Sequence, residues 1–248
     1  VLRGDMGSDE RPARAGGSAV GPASGAPAPA ARTSWGCRLD ATELLRRAPA
    51  RFTTERLQLE QICIEHAPML REAVLASQAD LFYIDWAQGL WDMERARNFC
   101  RKSASGVALG GYLSYLAFER LPGVRATSLT GGLIGARLLR GRYVGLLDLH
   151  SFDWRVPSCQ IGYVGDSAQR GRGLMREAAL ALMHAAHGWG VHRIEAWCDA
   201  RNLRSQRFAA MLGLSFEGRL RQVDVDVSGQ RCDQMVYARL EGDPWPAQ

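Results

Sequence analysis

From Phe52 to Glu60 the chain reads Phe-Thr-Thr-Glu-Arg-Leu-Gln-Leu-Glu, and its alternating apolar and polar positions are those of a strand with one buried face. The period then lengthens. Met69, Leu70, Ala73, Val74 and Ala76 fall at helical spacing between Glu65 and Ser77, and Asp92 to Cys100 repeats that spacing behind an acidic start. Two helices are predicted, joined by an aromatic loop from Leu81 to Trp91. Runs of leucine, aromatic and β-branched residues at Tyr112 to Phe118, Tyr143 to Leu149 and Cys159 to Val164 predict three strands between glycine and proline breaks. Leu174 to Trp189 reads as a helix stopped by Gly188 and Gly190. Val191 to Cys198 returns to period two, with Ile194, Ala196 and Cys198 on one face and Arg193, Glu195 and Trp197 on the other. A short helix from Leu203 to Leu212 has Asn202 as its cap and Gly213 as its stop, and Ser215 to Val225 pairs with Arg231 to Leu240 as a hairpin around Ser228-Gly229. The order β-α-α-β-β-β-α-β-α-β-β closes as a mixed sheet with helices on its faces, an α/β domain.

Ahead of this pattern, Pro12 to Ala31 is almost wholly Ala, Gly, Pro and Ser, which supplies no side chains for a core. Residues 1–50 are therefore expected to be a disordered or weakly ordered extension, either a flexible tail or the product of an upstream start. One domain is expected over 51–241, with a tail at 242–248. Composition changes this picture little. The formal charge is +5, but the 26 acidic residues are interspersed with the basic ones and no basic block or stacking-aromatic motif calls for nucleic acid. No apolar run approaches the roughly 18 to 20 residues of a membrane span. The six cysteines are far apart, without a C-x-x-C pair or a secretory leader, so reduced thiols in a cytoplasm are expected and no metal site is. His184 and His187 lie one helical turn apart but lack a third ligand, and read as surface residues.

The sharpest local feature is Gln169-Arg-Gly-Arg-Gly-Leu174, set between a strand and a helix. Unpaired N–H groups and the positive end of the helix dipole converge there, so the turn is prepared for phosphate oxygens. A Walker loop would need lysine where Leu174 stands, and a dinucleotide fingerprint would need glycine where Arg176 stands. The pyrophosphate of coenzyme A needs only backbone donors followed by a helix, and Arg170 and Arg172 would add long-range attraction or be plain solvated residues.

From about Thr54 to Leu240 the sequence resembles the GCN5-related N-acetyltransferases (GNAT), of the ribosomal-protein N-acetyltransferase type. The resemblance is carried by Thr54-Glu-Arg-Leu57, Ile161-Gly-Tyr163, Gln169 to Ala178, His192-Arg-Ile-Glu195, Asn202-Leu-Arg-Ser205 with Met211 to Gly218, and Asp233-Gln-Met-Val-Tyr237. It implies a mostly antiparallel sheet of six to seven strands with helices on both faces. It also implies acetyl-coenzyme A as co-substrate, an amine acceptor such as a protein N-terminus or a small molecule, no membrane, and a monomer or homodimer. Tyr163, Val164, Gln169, Arg170, Gly171, Arg172, Gly173, Leu174, Asn202 and Ser205 are then the expected coenzyme contacts, the main chain after Tyr163 holding the thioester arm. Three departures stand out. Ala168 occupies a place where the family often has Gln or Arg, Leu214 follows Gly213 in place of Phe, and Gln160 precedes the Ile-Gly-Tyr triplet where the family usually has Glu. The stretch from Leu121 to Gly141 is longer than the usual connector.

Acetyl transfer needs a neutral amine, a donor for the carbonyl oxygen and a proton for the leaving thiolate. Ser205 is the candidate donor to the thiolate, or a surface hydroxyl. Glu195 is a candidate base through water, or part of a solvated strand face. His150 shares a strand face with Asp148 and is a second candidate base, or makes a structural hydrogen bond. Tyr83, Trp86 and Trp91 are candidates for lining the acceptor groove, or core residues. Because Gln160 cannot accept a proton, a catalytically weakened GNAT module that binds coenzyme or a partner is the alternative to an active enzyme.

Overall fold

The computed structural model describes residues 39–106, 111–121 and 140–246. The chain order is α1 (Ala41–Arg47), β1 (Arg51–Thr53), β2 (Leu57–Gln61), α2 (Ala67–Ser77), α3 (Met93–Ser105), β3 (Leu113–Arg120), β4 (Arg140–Asp153), β5 (Ser158–Gly165), α4 (Leu174–Trp189), β6 (Arg193–Asp199), α5 (Leu203–Met211), β7 (Ser215–Val225) and β8 (Arg231–Leu240). The strands form one eight-stranded sheet in the order β1-β2-β3-β4-β5-β6-β8-β7. Among its described pairs only β5 and β6 run parallel.

Each face of the sheet carries its own core. On one side α1, α4 and α5 cover Leu57, Leu59, Tyr115, Leu147, Leu149, Ile161 and Ile194; on the other, α2 and α3 cover Leu116, Phe118, Leu146 and Val164. α4 forms because Leu174, Ala178, Leu182 and Ala186 make one apolar stripe four residues apart, and it ends at Gly190, whose φ of 108° suits a residue without a Cβ. Asp92 caps α3 by accepting from the Arg95 N–H at 2.8 Å. Among the described residues no helix is long and apolar enough to cross a membrane.

The structure differs from the sequence expectation in four places. The first strand is two, because Thr54-Glu-Arg56 turns back and β1 pairs antiparallel with β2; this helps bring the sheet to eight strands. Residues 39–50 are packed: Leu39 and Leu44 are buried in the first core, and Arg47 Nη1 donates to the Trp189 carbonyl at 2.7 Å. Residues 242–246 pack as well, since the Trp245 ring stacks on His184 with centroids 4.7 Å apart and lies against the buried Arg239 guanidinium. His187 is a buried residue whose Nδ1 meets the Val191 carbonyl at 2.7 Å. Residues 1–38, and nearly all of the 121–141 stretch, lie outside the described residues.

Burial of Leu44 generates a stability prediction. Leu44→Ala should cost about 2–4 kcal/mol in urea unfolding, and removal of residues 1–50 should lower Tm by several degrees in a thermal melt; an unchanged Tm would show that α1 contributes nothing to the core.

Candidate active site

The parallel ladder between β5 and β6 has three rungs, Ser158↔Arg193, Cys159↔Ile194 and Gln160↔Glu195, and then stops. Past Gln160 and Glu195 the two strands part, so the β5 backbone from Ile161 to Gly165 has no rung toward β6 while it remains fully paired with β4 on its other side. Backbone donors and acceptors that lose their ladder need another partner. An extended ligand arm with amide groups is such a partner.

At one end of this opening lies the glycine turn. A 3₁₀ turn at Ser167–Gln169 is capped by Asp166, and Gly171 and Gly173 follow with φ of 75° and 72°, which a side chain would resist. No atom lies within 4 Å of where a Cβ on Gly171 would stand, and Gly173 is the exposed N-cap of α4. The start of α4 is fastened to the β1–β2 turn: Thr54 Oγ1 donates to Glu177 at 2.5 Å, the Arg56 N–H at 3.0 Å, and Arg56 Nε at 2.6 Å. Burial raises the Glu177 carboxyl, but these bonds outweigh it and hold it below the usual range. Arg56 Nη2 also stands 3.7 Å from the Cβ position of Gly173, beside the turn. Sequence reasoning missed this role of Arg56, because it depends on a tertiary contact across 121 residues.

Of the expected coenzyme residues, Gln169, Arg170, Gly171, Arg172 and Gly173 are on the exposed or half-exposed turn, but the two arginines are already engaged. Arg170 pairs with Asp80, and Arg172 pairs with Glu119 and donates to Gln169 Oε1. Leu174 points its side chain into the core, so only its backbone faces the turn. Val164 likewise buries its side chain in the second core. Tyr163 turns the other way, toward α5, where its hydroxyl lies 3.0 Å from Ser205 Oγ. Burial raises the Tyr163 phenol well above its ordinary value, so it stays a proton donor at neutral pH. Asn202 caps α5 by accepting from the Ser205 N–H at 3.0 Å.

The register brings the candidate bases into one row: His150 pairs with Gln160 on β5, and Gln160 pairs with Glu195 on β6 at the last rung before the parting. Both Glu195 oxygens already accept hydrogen bonds, from Arg193 Nε at 2.9 Å and Trp197 Nε1 at 2.7 Å. Next along β4, Asp148 is fully buried and lies over Gly162, where an added Cβ would come within 2.8 Å of its carboxylate. Neither oxygen of Asp148 has a hydrogen bond; His150 Nε2 stands 3.6 Å from Oδ1, too far for the structural hydrogen bond the sequence offered. Burial raises its carboxyl to about 7.

Trp86 and Trp91 are both buried, and only the edge of Trp86 reaches a surface pocket, beside Asp85, Asp92 and Arg95. They pack against Phe99 in the second core, Trp91 donating to the Trp86 carbonyl at 3.1 Å, which satisfies the indole and lets it be buried. Tyr83 is half-buried at the surface with its hydroxyl 3.4 Å from the Arg201 carbonyl. Among the described residues no three His, Cys, Asp or Glu side chains gather to hold a metal.

A family model described as an acetyltransferase (GNAT) domain matches residues 56–215, well over half of the chain. The chain belongs to the GNAT acetyltransferase family. A curated relative of this GNAT chain, the probable N-acetyltransferase YjcK of Bacillus subtilis (strain 168), is 40% identical over 84 residues, 34% of this chain and 46% of its own length. The match thus spans about half of that relative. Among solved structures, RimL, a ribosomal L7/L12 alpha-N-protein acetyltransferase in complex with coenzyme A, superposes with a TM-score of 0.63 at 23% identity, covering 79% of this chain and 98% of that one. The microcin C7 self-immunity acetyltransferase MccE, in complex with acetyl-CoA and AMP, gives 0.65 at 16% identity over 79% and 99%. A probable GNAT acetyltransferase from Chromobacterium violaceum gives 0.66 at 21% identity over 89% and 98%. These likenesses show that the GNAT fold is shared.

The Asp148 carboxyl makes stability depend on pH. Its folded value near 7 lies above the ordinary value, so the folded state holds the proton more tightly and loses stability as pH rises through that window. The loss is at most about 4 kcal/mol above neutrality. Asp148→Asn should therefore raise Tm most at pH 8.5, by less than half as much at pH 5 and hardly at all at pH 3.5; an equal effect at pH 8.5 and pH 3.5 would show that Asp148 does not titrate in this range.

Proposed function

We propose that the protein is an N-acetyltransferase that moves an acetyl group from acetyl-coenzyme A to a primary amine by direct attack, with a free peptide or protein N-terminus as the favoured acceptor. The observation that carries this reading is the parting of β5 from β6 between a phosphate-ready turn at Gly171 and Gly173 and the hydroxyl pair of Tyr163 and Ser205. In this reading the turn and the N-terminus of α4 hold the pyrophosphate, and the free β5 backbone holds the thioester arm. Ser205, backed by the Tyr163 phenol, gives a proton to the leaving thiolate. Coenzyme-bound GNAT neighbours support this assignment of the opening.

The acceptor class follows from Gln160, which offers no carboxylate. An α-amine near 8 is about one-quarter neutral at pH 7.5, whereas a lysine amine near 10.4 is neutral about once in a thousand molecules. An amine that is already partly neutral asks less of whatever base the site holds, so the weaker amine is favoured, and the alpha-N-protein activity named for the RimL neighbour agrees with this. The same Gln160 favours a second reading, a GNAT module that binds acetyl-coenzyme A without efficient turnover.

Two measurements test these readings. Acetyl-coenzyme A at a hundredfold excess over Kd should stabilise the protein by about 2.7 kcal/mol, seen as a rise in Tm, and Gly173→Glu should abolish the rise by filling the pyrophosphate site; an undiminished rise would move the site elsewhere. Thiol release measured side by side at neutral pH should be faster with a free N-terminal peptide than with a matched internal-lysine peptide. Binding without release on any peptide or small amine would favour the non-catalytic module.

A further inference from the structure

We propose that Asp148, His150 and Ser151 form a proton relay that takes the proton of the incoming ammonium, in the place of the carboxylate that Gln160 lacks. This rests on the acetyltransferase reading above.

The three residues run from the centre of the sheet to its surface. Asp148 is fully buried, His150 is 4% exposed, and Ser151 is exposed. Asp148 Oδ1 faces His150 Nε2 at 3.6 Å, and the other ring nitrogen, Nδ1, lies 3.0 Å from Ser151 Oγ. With the ring proton on Nε2, toward the carboxylate, Nδ1 is the acceptor and the serine hydroxyl is its donor. Ser151 is held for this contact at a cost. Its φ is 53°, one of two positive values outside glycine among the described residues, and it falls where the β4–β5 register shifts between His150 and Asp153. A non-glycine residue in that region carries strain of about 1–3 kcal/mol, which persists where the surroundings impose it. Asp148 adds a second cost, a carboxylate buried without a hydrogen bond. Two unfavourable features three residues apart, one facing and one hydrogen-bonded to the same imidazole, have no counterpart in what the sheet needs for packing.

Ser114 on β3 pairs with Asp148, and the Tyr112 ring lies 5.6 Å from that of His150. On β5 the facing residues are Gln160 and Gly162, with the Cys159 thiol on the other side of the strand. Glu195 on β6 is taken up by Arg193 and Trp197, and Glu60 on β2 by Arg51 and His66. The helical layer on this face brings apolar side chains and the buried Cys100 thiol.

In the reaction, a proton leaves the ammonium for Ser151 Oγ, directly or through one water, while the serine proton passes to His150 Nδ1. The imidazolium is stabilised by the Asp148 carboxylate. The neutral amine attacks the thioester carbon, the C–N bond forms, the C–S bond breaks, and the second amine proton reaches the thiolate by way of Ser205. His150 then returns its proton through Ser151 to solvent. Amide and free thiol result, with one proton released. Asp148 is the positioning residue here.

The test is kcat/KM for acetyl-coenzyme A and a free N-terminal peptide from pH 5.5 to 9, with Tm beside it, on the wild type, Ser151→Gly and Asp148→Asn. Glycine adopts a positive φ freely, so Ser151→Gly should melt no lower than the wild type yet lose about tenfold or more in kcat/KM. Asp148→Asn should lose rate at pH 8 and move the acid limb of the profile to lower pH, because the imidazole loses its anionic neighbour. Wild-type rate and an unmoved acid limb in both variants would overturn the relay, and so would a rate loss equal at every pH, the mark of a structural role. No thiol release by the wild type on any acceptor would fell the acetyltransferase reading itself, an outcome visible before any variant is compared.

Discussion

Two strands that part within a sheet leave backbone groups near its middle without ladder partners, and the rest of this molecule is arranged around that deficit. The three rungs between β5 and β6 fix where the parting begins, and their position relative to β4 decides which side chains stand at its apex. Backbone polar groups left dry cost about as much as lost hydrogen bonds, so an opening of this kind persists only with a ligand or water in it. The turn at Gly171 and Gly173, the N-terminus of α4 and the start of α5 all lie at its edges.

The molecule meets this with rigidity on one side and tension on the other. Thr54 and Arg56 clamp Glu177, which fixes the first turn of α4 against the β1–β2 turn, and α1 and Trp245 close over the opposite part of the same helical layer. The tension is concentrated in β4, where Asp148 is buried without hydrogen bonds and Ser151 takes a backbone conformation natural to glycine. Stability given up at such positions is typical of sites under selection for something other than stability.

Much of the fold was legible in the sequence where periodicity and end signals agreed. Leu174–Trp189 and the β7–β8 hairpin have the predicted bounds, the first because an apolar stripe is bracketed by Gly173 and Gly190, the second because two runs flank the turn at Ser228-Gly229. α1 was hidden because seven residues are too few for periodicity to register beside a low-complexity segment. The direction of Trp86 and Trp91 was hidden for another reason: composition marks a loop as aromatic but not which way its rings turn. At the site, the glycine turn, Asn202 and Ser205 were visible as local motifs. The isolation of Asp148, the contact of Tyr163 with Ser205 and the backbone of Ser151 were not, since each depends on register between strands or on packing between distant elements.

Gly145 on β4 and Gly165 on β5 are direct partners in the sheet, and the Met175 side chain fills the space above both: a Cβ on either would fall within 3 Å of its side-chain atoms. Met175 is the second residue of α4, so this wedge sets how far the glycine turn stands from the sheet. With the rungs of β5 and β6 fixing the other end, the span between turn and apex is a gauge of set length. Whatever lies in the opening is measured against it, and a molecule of the right chemistry but the wrong reach would place its reactive carbon short of, or beyond, the side chains that wait at the apex.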